Sequence, residues 1–350
     1  MKRVGLFALC GAALLALSAP AVAQDEGRGI GTAIAGPVFH LPAGVSVERQ
    51  EVHISTYSVR LTYVFKSTAP QTVHFSFAMP EMPVDAAEDL AALDTDSEAA
   101  GLAADTQPAN YLRLSVDVDG QPLTPGGHGR ALRDGKDVTR QLLAAGVPLL
   151  SGFDGPGDPI WRHLPPEKQE KLRASGLMDE DTALWTYQAD FEWDAILEPG
   201  ETRVEVGYDP LANYWSDINL DSFPEMATDG SATRAYCIDG AIRRAFLSGK
   251  HQYDLYTVTH LAPLGGWRGP VRHYRLVVDK QHPTDLVAFC PPEAKKTSPT
   301  RFEWTATDYT PGDRTGVLFF WDTEAPDEQA DEQADGQAGG QAGGQAGGQE

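Results

Sequence analysis

Chemistry in this chain would have to come from two cysteines, a few scattered histidines and one glycine-rich loop. Of the three cysteines, Cys10 falls in an apolar leader, which leaves Cys237 and Cys290. An even pair in an exported chain reads by default as a disulfide. A metal pair or a redox pair is the alternative, but neither cysteine has a CxxC spacing or a neighbouring histidine. The familiar nucleophile and zinc signatures are missing: the sequence has no GxSxG elbow, no SxxK pair and no HExxH helix. His251, His260 and His273 fall in or near strand-like segments, and no two histidines share an i,i+2 or i,i+4 ligand spacing. A hydrolase or zinc centre would therefore have to be assembled from distant residues such as Asp239, His260 or His273. Asp217-Ile218-Asn219-Leu220-Asp221 opens like a calcium loop, yet Ser222 stands where the glycine belongs and Thr228 where the bidentate glutamate belongs. Gly265-Gly266-Trp267-Arg268-Gly269-Pro270 is the most suggestive loop. Its glycines permit close backbone approach, Trp267 offers a stacking ring and Arg268 a planar donor fork. It reads as a candidate binding loop or, alternatively, as a lid in which Trp267 folds over a sheet edge.

The elements that must position these residues are mostly strands. Tyr57, Val59, Leu61, Tyr63 and Phe65 alternate with Ser58, Arg60 and Thr62, and Val73, Phe75, Phe77 and Met79 repeat the pattern after Ala69-Pro70-Gln71. Leu112, Leu114, Val116 and Val118 lead into Asp119-Gly120, a strong hairpin turn. Trp185 to Trp193 forms another alternating run, and Pro199-Gly200 turns the chain into Val204, Val206 and Tyr208. Further strands are expected near 255–261, 271–278, 286–290, 302–307 and 317–321. Three short helices are expected. One runs over 138–145, capped by Asp137 and ended by Gly146. A second opens at Pro165 or Pro166 and stops at Gly176. The third, over 238–247, is amphipathic and is opened by Cys237. This is a mainly β chain, an antiparallel sandwich with a few short helices.

The ends and the charge set the compartment. Lys2 and Arg3, the apolar run Val4 to Leu17 and Ala21-Val22-Ala23 read as a secretory signal cleaved after Ala23. A lipid anchor on Cys10 is the alternative, weakened by Leu9 before it and by the apolar run continuing past it. No later apolar run approaches the ~20 residues a membrane span needs. The formal charge is −22, and it becomes −24 when Lys2 and Arg3 leave with the signal. Such a surface repels nucleic acid and favours cations or basic partners. Between Glu81 and Asp105 there are eight acidic residues and no basic ones, an acidic insertion between strands. From Asp327 onward a DEQA/GGQA repeat carries no aromatic or β-branched residue and reads as a disordered tail. The expected organisation is a signal peptide at 1–23, a β-sandwich region at 24–215 with its insertion at 81–105, an α+β region at 216–323 and a tail at 324–350.

Several stretches together resemble one bacterial family, domain of unknown function 4424: Tyr57 to Pro80, Gly135 to Leu149, Trp185 to Pro210, Tyr236-Cys237-Ile238-Asp239, and Trp267 to Cys290 with Lys295-Lys296. The resemblance implies an exported bacterial protein with no assigned activity. The strand order is also similar to the vault–inter-α-trypsin type of β-sandwich, an architectural likeness without functional content. The function expected on these grounds is that of a periplasmic or secreted, non-catalytic binding or structural module. A hydrolase with a site built from distant residues and an acidic, cation-binding envelope protein are the alternatives. No cofactor and no metal ligand set is expected, and the partner is an unknown protein or small molecule of the cell envelope.

Overall fold

A computed structural model describes residues 33–84, 109–150, 160–218, 236–262, 268–312 and 314–324. The expected signal segment, residues 85–105 of the acidic stretch, most of the calcium-like segment (219–228), Trp267 and the repeat from Asp327 lie outside the described residues. Strands are numbered along the chain. The largest sheet has eight: β19 (Lys295–Lys296), β20 (Arg301–Tyr309), β17 (Val271–Asp279), β3 (Val45–Ile54), β4 (Val59–Ser67), β14 (Gly200–Tyr208), β7 (Ser115–Val118) and β8 (Gln121–Leu123), neighbours in that order. All its pairs are antiparallel except β17 with β3. Strands from both sides of residue 215 thus share this sheet and contribute to one large hydrophobic core.

A second sheet orders β10 (Lys136–Asp137), β9 (Gly126–Arg133), β13 (Thr186–Leu197), β5 (Gln71–Ala78) and β2 (Val38–Phe39), with β6 (Met82–Pro83) also paired to β13. Met82 and Pro83 of the acidic stretch therefore belong to a sheet. A third orders β1 (Ile34–Ala35), β16 (Tyr253–Leu261), β21 (Arg314–Asp322) and β18 (Leu286–Phe289), with β15 (Asn213–Ile218) paired to β16. The two-residue strands β11 (Met178–Asp179) and β12 (Thr182–Ala183) form a separate pair.

The alternating residues go where period 2 sends them. Val59, Leu61, Tyr63 and Phe65 of β4 are buried, as are Val73, Phe75 and Phe77 of β5 and Ala189, Phe191, Trp193, Ala195 and Leu197 of β13. Across β5 and β13 the Phe75 and Trp193 rings stack at 5.3 Å. Short turns do not make these neighbours hairpins. β4 and β5 are joined by three residues yet lie in different sheets, and so are β13 and β14 on either side of Glu198-Pro199. The two crossings coincide, because Ser67 pairs with Gly200 on one sheet while Gln71 pairs with Leu197 on the other. A pair of strands bends over this corner and closes the sandwich.

The helices are α1 (Thr139–Ala144), α2 (Pro166–Ala174) and α3 (Gly240–Leu247). Asp137 does not occupy the N-cap position of α1. It lies in β10, Val138 stands at the cap, and the Asp137 carboxylate accepts the Thr139 N–H at 2.9 Å. Gly146 and Gly176 both follow their helices at positive φ, the left-handed position that ends a helix. Nor does Cys237 open α3. Asp239 does so, its Oδ1 accepting the N–H groups of Ala241 and Ile242 at 2.8 Å each, while Cys237 sits ahead of it at φ 51°. Ile242 joins Tyr236, Ile238, Leu255, Leu318 and Phe320 in a second, smaller core on the outer face of the third sheet. The disulfide Cys237–Cys290, with Cα atoms 5.2 Å apart, links the approach to α3 to the residue following β18. No described helix is long and apolar enough to cross a membrane.

Candidate binding surface

Three aromatic side chains from three strands meet at one end of the sandwich, and a fourth lies near enough to act on one of them electrostatically. Tyr214 on β15 is the direct cross-strand partner of Tyr256 on β16, and their rings lie 5.0 Å apart at 40°. Tyr256 in turn meets Trp321 of β21 at 5.4 Å and 44°. Asp254, two residues from Tyr256 and so on the same face, accepts the Tyr214 phenol at 2.9 Å. Farther along that face Val258, Val317 and Phe319 enter the main core. The row therefore lies where the inner face of the third sheet emerges from its cover. The fourth ring belongs to Tyr57, at the tip of the β3–β4 turn, which Ser55 and Ser58 close with reciprocal hydrogen bonds. Tyr57 is no strand residue: it projects from the turn at 54% exposure, and Tyr214 is 51% exposed. The Tyr57 phenol donates to the Gln281 amide oxygen at 3.4 Å.

Electrostatics fit this convergence. Burial pushes the Tyr256 phenol up to about 12, and the nearby Tyr214, Tyr57 and Asp254 groups add to the shift. The Tyr256 phenol then stays protonated at neutral pH and can donate a hydrogen bond. A polar network holds the end of β21 that carries Trp321. The buried Asp285 carboxylate accepts the His282 N–H at 2.8 Å and the Asp322 N–H at 3.0 Å. The Asp322 carboxylate meets His251 Nδ1 at 2.8 Å. Lys280, also buried, donates to the carbonyls of Pro283 and Asp285, and burial drops its ammonium to about 8. These bonds fix the strand ends, so the rings are held by a stiff frame.

The residues singled out from sequence are not brought together. Asp239 caps α3. His260 is buried in β16, its Nδ1 2.8 Å from the Tyr208 hydroxyl and its Nε2 buried without a hydrogen-bond partner among the described residues. Burial alone lowers its imidazole to about 4. His273 lies in another sheet, exposed on β17 beside Arg49 of β3. Arg268 spends its Nε–H on the Leu41 carbonyl at 2.6 Å, which ties the loop to the segment before β3. Asp217 falls in β15. Among the described residues no three His, Cys, Asp or Glu side chains are grouped to hold a metal ion. The aromatic row escaped the sequence reading because its members are spread from Tyr57 to Trp321. The signal that was available is Tyr214, a large ring on a strand too short to show alternation.

Comparison with known proteins identifies the relatives. The family described as Domain of unknown function (DUF4424) matches residues 25–318. The chain belongs to this family. Among curated proteins nothing matches. One solved structure with a partial likeness to this DUF4424 chain is a "putative nutrient binding protein" from Legionella pneumophila. It is 12% identical, with a TM-score of 0.38, over 83% of this chain and 71% of that one. That likeness is too distant to bear on ligand or mechanism.

Proposed function

We propose that this DUF4424 protein is exported, loses its signal after Ala23, and acts in the cell envelope as a non-catalytic binding module. The carrying observation is the aromatic row at the end of the sandwich. Tyr57 and Tyr214, beside Tyr256 and Trp321, are more than half exposed, whereas the other aromatics among the described residues are buried or partly buried. Tyr and Trp supply large contact area at little entropic cost and are enriched where proteins bind their partners. Asp239, His260 and Arg268 have structural work already, which favours binding over a hydrolytic centre. The Cys237–Cys290 bond suits an oxidising compartment.

Two measurements test the two halves of the proposal. Intact mass of the protein recovered from its host is expected to show Gln24 as the first residue. An N-terminus at Met1, or a lipid on Cys10, would overturn export by signal cleavage. For the surface, a Tyr57→Ala/Tyr214→Ala double variant is compared with wild type in capture from envelope extract. The variant should lose the ligand that wild type retains while staying folded, with a stability loss of about 1–2 kcal/mol from the Tyr214–Tyr256 ring contact and the Tyr214–Asp254 hydrogen bond. Identical capture by the two proteins would remove the row from consideration.

A further inference from the structure

The outer face of the eight-stranded sheet carries a ladder of charges, and most of its arginines meet a carboxylate. Arg275 bridges Glu51 at 2.7 Å and Glu303 at 2.9 Å, Arg301 meets Asp279 at 2.6 Å, and Arg272 meets Glu48 at 3.1 Å. Such matching is what a chain with 50 acidic and 28 basic residues should achieve everywhere. Two arginines stand outside this matching among the described residues, Arg60 on β4 and Arg49 on β3, and Arg49 lines a depression. The parallel register of β17 and β3 sets His273 directly beside Arg49, and the antiparallel register of β17 and β20 sets Thr307 on its other side. Thr305 is the corresponding neighbour of Arg275 in the next row. Arg49 makes no ion pair or hydrogen bond among the described residues, and where a carboxylate would complete the ladder the sheet presents two hydroxyls. These groups line a depression of about 450 Å³, with Arg275 at its side.

Two like-charged groups opposite each other destabilise a sheet when both are ionised. A guanidinium fork, an imidazole N–H and two hydroxyls facing one depression together match the oxygens of an anion. We propose that Arg49, His273, Thr305 and Thr307 form a binding site for an oxyanion, the phosphate or carboxylate group of a small ligand. The site lies on a different face from the aromatic row and stands independently of it. The negative charge of the whole chain does not forbid it, because at about 0.15 M ionic strength fields between exposed charges fade over ~8 Å and the local donors dominate. Specificity then comes from short-range geometry, so the ligand is taken up by contact and not by long-range attraction.

The test uses the full mature chain with inorganic phosphate and, separately, acetate as probes, at constant ionic strength held with chloride. Arg49 Nε–H and His273 ring resonances are followed by NMR. A saturable shift of both with one probe or both supports the site, and the stronger probe names its chemistry. Arg49→Gln should weaken binding about tenfold or more, the cost of one charged hydrogen-bonded contact. His273→Asn should weaken it less. Melting temperature serves as the folding control, since both side chains are exposed. The site is overturned by shifts that chloride reproduces at equal concentration, by the absence of a saturable shift with either probe, or by unchanged affinity in Arg49→Gln.

Discussion

His260 is the least comfortable residue of the core. Its imidazole is wholly buried, Tyr208 satisfies Nδ1, and Nε2 has no partner among the described residues. Gly36 lies so close that a Cβ there would come within 2.9 Å of the His260 ring. Such packing admits the neutral ring and resists the charged one, which is why burial depresses its pKa to about 4 from the model-peptide 6.5. As pH falls through that window the unfolded chain takes up a proton that the folded chain refuses. The contribution of His260 to stability is therefore complete above about pH 6.5 and lost on descending to about pH 4, by roughly 3 kcal/mol. A His260→Gln variant keeps a polar group for Tyr208 without ionising, so its denaturant midpoint should fall less steeply between about pH 7 and about pH 4.5. Parallel acid profiles for the two proteins would refute the assignment.

Disulfide and helix act as one unit at the scale of elements. The bond closes a span of 53 residues, which the chain-entropy account values at about 4 kcal/mol, reduced by any strain. It anchors the approach to α3 beside β18, the edge strand of the third sheet, and so helps hold that sheet's outer face under Tyr236, Ile238 and Ile242. A Cys237→Ser/Cys290→Ser variant should lose about 2–4 kcal/mol in a denaturant melt, and reductant should destabilise wild type while leaving the variant unmoved. If reductant shifts both equally, its effect is not on this bond. The strand β3 teaches a different lesson about elements. Val45 and Val47 face inward, and after a register shift between Val47 and Arg49 the inward set becomes Gln50, Val52 and Ile54. The bulge breaks the alternation in the sequence while preserving it in space, so a ten-residue strand at the centre of the largest sheet is invisible to a search for period 2.

Taken as a whole molecule, the chain concentrates its apolar residues before Glu324 and spends its last segment on glutamine, glycine, alanine and acid. A repeat without aromatic or β-branched residues has little apolar surface to bury. Truncation after Thr323 is therefore expected to leave the thermal midpoint within about 1 °C of the full chain, a shift below what 0.5 kcal/mol would cause. A drop of several degrees would show that the tail packs on the fold.

Local pattern was enough to determine much of this protein. Alternation marked which faces of β4, β5, β13 and β14 would be buried, Asp119-Gly120 set the β7–β8 hairpin, and Gly146 and Gly176 marked the ends of α1 and α2. The even cysteine count gave a bridge that the structure contains. These features are legible because each depends on residues within a few positions of one another. Tertiary structure alone decided which strands became neighbours. Period 2 assigns a side chain to a face, but it says nothing about the strand across from it or the sheet to which that strand belongs. Three residues between β4 and β5 would ordinarily make a hairpin, and the buried faces of both strands were better covered by bending the chain from one sheet to the other. The same non-local choice put Arg49 beside His273 and gathered Tyr57, Tyr214, Tyr256 and Trp321 at one end, because register and packing are set by the sum of contacts across the whole core and not by any one segment.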